Sequence, residues 1–236
     1  MVDVVSLVDV RALYEGERHA TLCGVTFAVS EAEQVAVTGP NGAGKTTILE
    51  VINGLLPITS GTVRTFGQLV APGSHRLRAR IAYVPQNLFF PPDTPFLVGD
   101  VVLAARFARG RRSGISSAED RRHVDRSLCA VGISDLRRRP IGRLSGGQQR
   151  KVLLARAVAQ QAELLLLDEP TANLDPEAKL DVALLVTQIR QELSAAAVVV
   201  SHESGPLLDA SDRAARIESG RIVESSLENL VAVAAH

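Results

Sequence analysis

The sequence predicts an α/β fold: a mostly parallel sheet with helices on both faces, an antiparallel sheet along one edge, and a helical lobe let into the middle of the chain. Three observations predict it. Short runs that are apolar throughout, such as 164–167 and 196–200, suit strands buried on both faces. They alternate with helical stretches at 148–160 and 176–192, and that order is the pattern of parallel strands joined by crossover helices. A glycine-rich turn at 39–44 joins a short β-rich run to the start of a helix.

Taken in order, 4–10 and 25–29 read as strands of the antiparallel edge, the second alternating apolar and polar. Residues 34–38 form a strand that feeds the glycine-rich turn, and 46–53 a helix closed by Gly54, which can take the left-handed conformation past a helix end. Strands are expected at 62–66 and 81–84. Helical spacing marks 96–107 and 119–131, separated by an Arg/Gly/Ser-rich connector. After the strands and helices named above come a short segment at 205–210 and, beyond Val223, a short terminal helix. The 236 residues suit one domain, 1–236, with the helical lobe at about 87–160 inserted in the core.

Composition excludes several classes. Lys and Arg number 26 and Asp and Glu 26, so the formal net charge is zero and no basic excess points to nucleic acid. Arginines cluster at Arg109, Arg111 and Arg112 and at Arg137 to Arg139, which read as solvated surface. Cys23 and Cys129 have neither CxxC spacing nor flanking histidines, against a disulfide framework or metal site. The segment 1–12 lacks the basic-then-apolar pattern of a signal peptide. The longest apolar runs, 164–167 and 195–200, fall short of the roughly 20 residues a membrane helix requires.

Gly39-Pro40-Asn41-Gly42-Ala43-Gly44-Lys45-Thr46 matches the P-loop pattern, between the strand and helix that pattern needs. Its glycines let backbone N–H groups wrap phosphate oxygens, and the following helix adds its positive dipole end. Lys45 suits the β- and γ-phosphates, Thr46 suits Mg²⁺, and Thr47 continues the phosphate cradle. The strand 163–167 runs into Asp168 and Glu169. Such a carboxylate pair is either a strand end meeting solvent or, beside a P-loop, a site in which Asp168 holds Mg²⁺ and Glu169 activates water. The class is therefore a P-loop NTPase core. Ser145, Gly146 and Gly147, at the start of the helix that Gln148 opens, form either a plain N-cap or a second anion site.

Leu144-Ser145-Gly146-Gly147-Gln148-Gln149 resembles the signature motif of the ATP-binding cassette (ABC) family, and its place between P-loop and acidic strand fits that family. The resemblance covers about 4–223. It implies an ATPase with ATP and Mg²⁺ at the site. Tyr14 resembles the aromatic that stacks on adenine, with a core or edge-strand role as the other reading. Gln86 resembles the glutamine that senses Mg²⁺ and the γ-phosphate, and Asp175, in Asn173-Leu174-Asp175, the turn that reaches the partner subunit. His202 resembles the histidine that contacts the γ-phosphate. Asn173 and Glu203 vary the commoner neighbours.

The resemblance further implies a site completed by a second cassette, most simply in a homodimer. It implies an integral membrane permease docked near 87–99, where Phe89, Phe90 and Phe96 read as exposed aromatics, and a place on the cytoplasmic face of the membrane. An extracytoplasmic substrate-binding protein is a further partner it suggests. Residues 100–106 and 140–143 resemble cassettes of transition-metal importers. The competing reading is a soluble cassette without a membrane partner, such as one serving iron–sulfur cluster assembly.

Overall fold

A computed structural model describes residues 3–71, 73–86, 90–107, 116–172, 174–201 and 205–224. Two sheets organise them. β1 (Asp3–Ala12), β2 (Leu22–Ser30), β4 (Ile58–Thr65) and β5 (Gln68–Leu69) form an antiparallel sheet in the order β2-β1-β4-β5. β3 (Gln34–Thr38), β6 (Ile81–Val84), β7 (Leu164–Asp168), β8 (Ala196–Val200), β9 (Arg213–Glu218) and β10 (Arg221–Glu224) form the second, ordered β10-β9-β3-β8-β7-β6. All its pairs are parallel except the terminal β9–β10 hairpin.

The parallel sheet is buried on both faces, and the period of two sorts its residues. Leu164 and Leu166 of β7, with Val198 and Val200 of β8, join a core shared with the antiparallel sheet and α1 (Lys45–Asn53). Leu165, Leu167, Ala197 and Val199 face the other way. There they meet α5 (Gly146–Gln160) and α6 (Pro176–Leu193), in a core continued by α3 (Val98–Phe107) and α4 (Ala118–Ala130). Each such leucine, fully buried, contributes about 1.5–3 kcal/mol. The two short helices, α2 (His75–Arg78) and α7 (Pro206–Asp209), lie at strand connections.

Helix α5 begins at Gly146, two residues before the predicted start, because Ser145 is its N-cap. Helix α3 begins at Val98, two residues later than its periodicity suggests. Phe96 and Leu97 are held extended instead: the Phe96 carbonyl accepts the Ile141 N–H at 2.9 Å, and Leu97 bridges to Pro140. The helix expected beyond Val223 falls mostly outside the described residues, as do Arg109, Arg111 and Arg112. Among the described residues no helix is long and apolar enough to cross a membrane. Cys23 and Cys129 are free thiols.

Candidate nucleotide site

The glycine-rich turn is shaped by β9 beneath it. Gly39 sits at φ +146°, and a β-carbon there would lie 2.1 Å from the Ile217 carbonyl oxygen, so only glycine lets loop and strand approach. The Gly220 N–H donates to the Ala43 carbonyl at 3.0 Å, tying the turn to the β9–β10 hairpin as well. Helix α1 starts from Gly44 with no side-chain cap, so its first N–H groups remain available at the helix's positive end. Lys45 is buried, and its Nζ donates to the carbonyls of Gly39 at 2.8 Å and Pro40 at 3.0 Å. Burial lowers its pKa, while Glu169 and Asp168 pull it back up.

Beside the turn opens a cleft of about 450 Å³. Asn41, Gly42, Gly44, Lys45, Thr46 and Thr47 line one side, with Tyr14, Thr21, Gln86 and Glu169 around the rest. The carboxylates come from the end of β7. In a strand, neighbours point to opposite faces, but Glu169 adopts φ +46°, its N–H donating to the Val200 carbonyl at 3.0 Å. A non-glycine residue in this region costs of order 1–3 kcal/mol and survives where the surroundings impose it. The result is that both carboxylates hydrogen-bond residues that line the cleft. Thr46 Oγ1 donates to Asp168 Oδ2 at 3.0 Å, and Gln86 Nε2 donates to Glu169 Oε2.

Asp168 is the residue whose environment asks most for a cation. Its Oδ1 is buried and receives no hydrogen bond within the described structure. Burial, first of all, raises its pKa; the Thr46 hydroxyl and Lys45 oppose this, and Glu169 and Glu50 add to it. A bare acceptor beside a threonine hydroxyl is the hard oxygen donor set that Mg²⁺ takes.

Tyr14, just past β1, turns its hydroxyl inward. It donates to Glu50 Oε2 at 2.6 Å and lies 3.1 Å from Thr47 Oγ1. Burial and the Glu50 bond push its pKa up to about 12. Glu50 escaped the sequence reading, though it lies one turn beyond Thr47 on the same face of α1.

The other predicted residues lie elsewhere. Ser145 Oγ accepts the Gln148 N–H at 3.3 Å while Gln148 Oε1 accepts the Ser145 N–H at 3.1 Å, a reciprocal capping box. Ser145, Gly147 and Gln148 line a second cleft of about 360 Å³ that shares no residue with the first. Asp175 caps α6, accepting the Ala178 N–H at 2.9 Å. The aromatics near 87–99 divide: Phe96 is 61% exposed, as expected, whereas Phe90 is partly buried against the helical core because its backbone is fastened to α5. His202, Asn173 and Phe89 lie outside the described residues.

Residues 22–172 match the ABC transporter family. This chain belongs to that family. It is an ATP-binding cassette, and the ABC fold encloses both clefts. The cassette is 39% identical over 174 residues to the manganese transport system ATP-binding protein MntB of Halalkalibacterium halodurans, covering 74% of this chain and 68% of that one. It is 31% identical over 230 residues to the energy-coupling factor transporter ATP-binding protein EcfA1 of Levilactobacillus brevis, covering 97% and 80%. A dimeric cassette in a post-hydrolysis state, bound to ADP and Pi, superposes with a TM-score of 0.82 at 25% identity, covering 95% of this chain and 99% of that one.

Proposed function

We propose that this cassette is the ATP-hydrolysing motor on the cytoplasmic face of an ABC importer, that it works as a homodimer, and that the cargo is a divalent transition metal ion. The observation that carries the ATPase reading is the convergence of Thr46, Glu169 and Gln86 on the cleft beside the P-loop, with Asp168 bonded to Thr46 behind it. The chain is read as one domain, with about 87–160 as the helical lobe.

ATP would lie with its phosphates on the Gly39–Thr47 turn and its adenine against Tyr14. Lys45 supplies the cation for the β- and γ-phosphates from its anchored position beneath the loop. Thr46 and Asp168 would hold Mg²⁺, with Gln86 as a further oxygen donor; the buried bare Asp168 Oδ1 supports that fit. When bound, the ion neutralises charge on the phosphate oxygens. Glu169 accepts the proton of the attacking water as the water oxygen bonds to the γ-phosphorus and the bond to the bridging oxygen breaks. Gln86 orients the Glu169 carboxylate by its hydrogen bond. His202 is assigned to the γ-phosphate by its place in the motif series. Ser145, Gly146, Gly147 and Gln148 of a partner copy, with its Asp175, would close the site from the opposite side. The separation of the two clefts on one chain supports that reading.

Transport rests on kinship. The MntB relative is named for manganese transport, which favours a metal cargo and agrees with the wording of 100–106 and 140–143. The longer alignment to an energy-coupling factor cassette favours a second reading, a motor shared with that transporter class. A permease would dock near 87–99, with an extracytoplasmic binding protein beyond it.

Two measurements test this. Glu169→Gln should lower the rate of ATP turnover by about 10²-fold or more, the scale of a lost general base, while nucleotide still binds; equal rates would remove Glu169 from that role. Mild-detergent purification of the tagged chain should recover a multi-spanning membrane protein whose identity separates the two transport readings. Soluble partners alone would overturn the transporter assignment and leave the ATPase intact.

A further inference from the structure

Gln149 is a buried amide that neither cleft uses. It is 1% exposed, on the first turn of α5, four residues past the Ser145 cap. Its Oε1 accepts the Phe90 N–H at 3.1 Å, and its Nε2 points back at the Phe90 carbonyl at 3.3 Å. The same Nε2 lies 3.2 Å from the Ile141 carbonyl and 3.4 Å from that of Leu144. One side chain therefore grips both polar groups of a backbone unit in the segment after Gln86 and the two carbonyls of the turn that delivers Ser145. Packing reinforces the grip. A β-carbon on Gly142 would lie 2.1 Å from the Pro91 carbonyl oxygen, so the two segments touch backbone to backbone. Farther along, Val98 N–H donates to Arg139 O at 3.0 Å and Gly99 N–H to Arg137 O at 2.9 Å, so 90–99 lies zipped along 137–144.

We propose that Gln149 is a positioning residue for hydrolysis, fastening the chain four residues beyond Gln86 to the turn that presents Ser145, so that a shift at one carries the other. This rests on the reading of Ser145 as the anion site that a partner copy meets. A buried amide that merely filled the core would need no such double contact with Phe90. Leucine of similar size would serve as well, provided the polar groups around it were paired otherwise. Here those groups are backbone donors and acceptors of two segments, and the amide is what matches them. The coupling makes the position of Phe90 and that of the Ser145 turn one variable.

The test compares Gln149→Leu with Ser145→Arg in the full chain, well below the melting temperature of each. Gln149→Leu should bind a fluorescent ATP analogue within about twofold of the parent, yet lose about tenfold or more in kcat and in ATP-dependent dimerisation, the pattern of misplacement without lost ground-state binding. A lower melting temperature with kcat and dimerisation unchanged would make Gln149 a structural amide only and overturn the proposal. If Ser145→Arg also leaves dimerisation and kcat intact, the anion-site reading itself is wrong, a different failure. Should Gln149→Leu not fold, hydrogen exchange of the parent decides. On adding a non-hydrolysable ATP analogue with Mg²⁺, peptides covering 90–99 and 137–149 should change protection together; a change confined to one of them would overturn the coupling.

Discussion

Tyr14 lines the P-loop cleft, yet its hydroxyl is already engaged by α1. With Glu50 at 2.6 Å and Thr47 at 3.1 Å, the phenol is pinned to α1; burial first and then the Glu50 bond favour its protonated form, while the Thr47 bond opposes them. The pKa is raised from 10.0 to about 12, so the folded state holds the proton more tightly than the unfolded one. That contribution to stability is fully present below pH 10 and fades as pH rises towards 12. The second tyrosine, Tyr83, is shifted up as well, by burial first and then by Asp168, Glu50 and Tyr14. The native protein should therefore show almost no phenolate absorbance at pH 10, where the unfolded chain shows half its full signal. In a Tyr83→Phe variant, a native tyrosine titrating at pH 10 would mean that Tyr14 is neither buried nor bonded to Glu50 as described. At this scale the sequence was most legible where a residue type has one chemical use, as in Lys45, Thr46, Asp168 and Glu169. It was least legible for Glu50 and Gln149, whose amide or carboxylate acquires meaning only from a partner 36 or 59 positions away.

Between residue and fold stand the elements, and there each departure has a physical cause. β9, with the sequence RAARIE, looks too polar and too small for a buried strand. Yet Ala214, Ala215 and Ile217 are buried beside β3, and the small side chains suit the close approach of Gly39 to Ile217. Periodicity reads side chains one segment at a time; the late start of α3 was decided by bonds to 140–141, and the early start of α5 by its own Ser145 cap. The helical lobe depends on such a bond. Arg106 of α3 is buried, with Nε 3.4 Å from Asp120 Oδ1 and Nη1 3.0 Å from the Ala159 carbonyl, so it joins α3, α4 and the end of α5. Asp120 simultaneously caps α4, accepting the Ser117 N–H at 3.0 Å. Asp120→Ala should cost about 3–5 kcal/mol in urea unfolding, because it strands a buried guanidinium as well as opening the capping box. Asp120→Asn, which keeps an acceptor for the cap, should cost about 1–3 kcal/mol. Equal losses for both would place the effect in the ion pair and not in the cap.

For the molecule as a whole the decisive fact is that the P-loop cleft and the Ser145 cleft share no lining residue on one chain. The alternation of strands and helices made the parallel sheet legible, and motif order placed both clefts in sequence; their separation in space needed the fold. If each hydrolytic site takes its P-loop from one copy and its Ser145 from another, symmetry gives a dimer two equivalent composite sites. Lys45→Ala disables the P-loop of its own chain, and Ser145→Arg disables the site that its chain helps a partner to complete. Each homodimer of a single variant then has two dead sites. A mixed dimer concentrates both lesions in one site and leaves the other intact. Equal mixing gives half mixed dimers with one site in two working, so turnover should recover to about one quarter of the parent rate from two nearly inactive stocks. A site completed within one chain would allow no recovery at any mixing ratio. The rate of the mixture therefore separates a cassette that hydrolyses ATP alone from one whose closing and opening on a copy of itself can drive a bound partner.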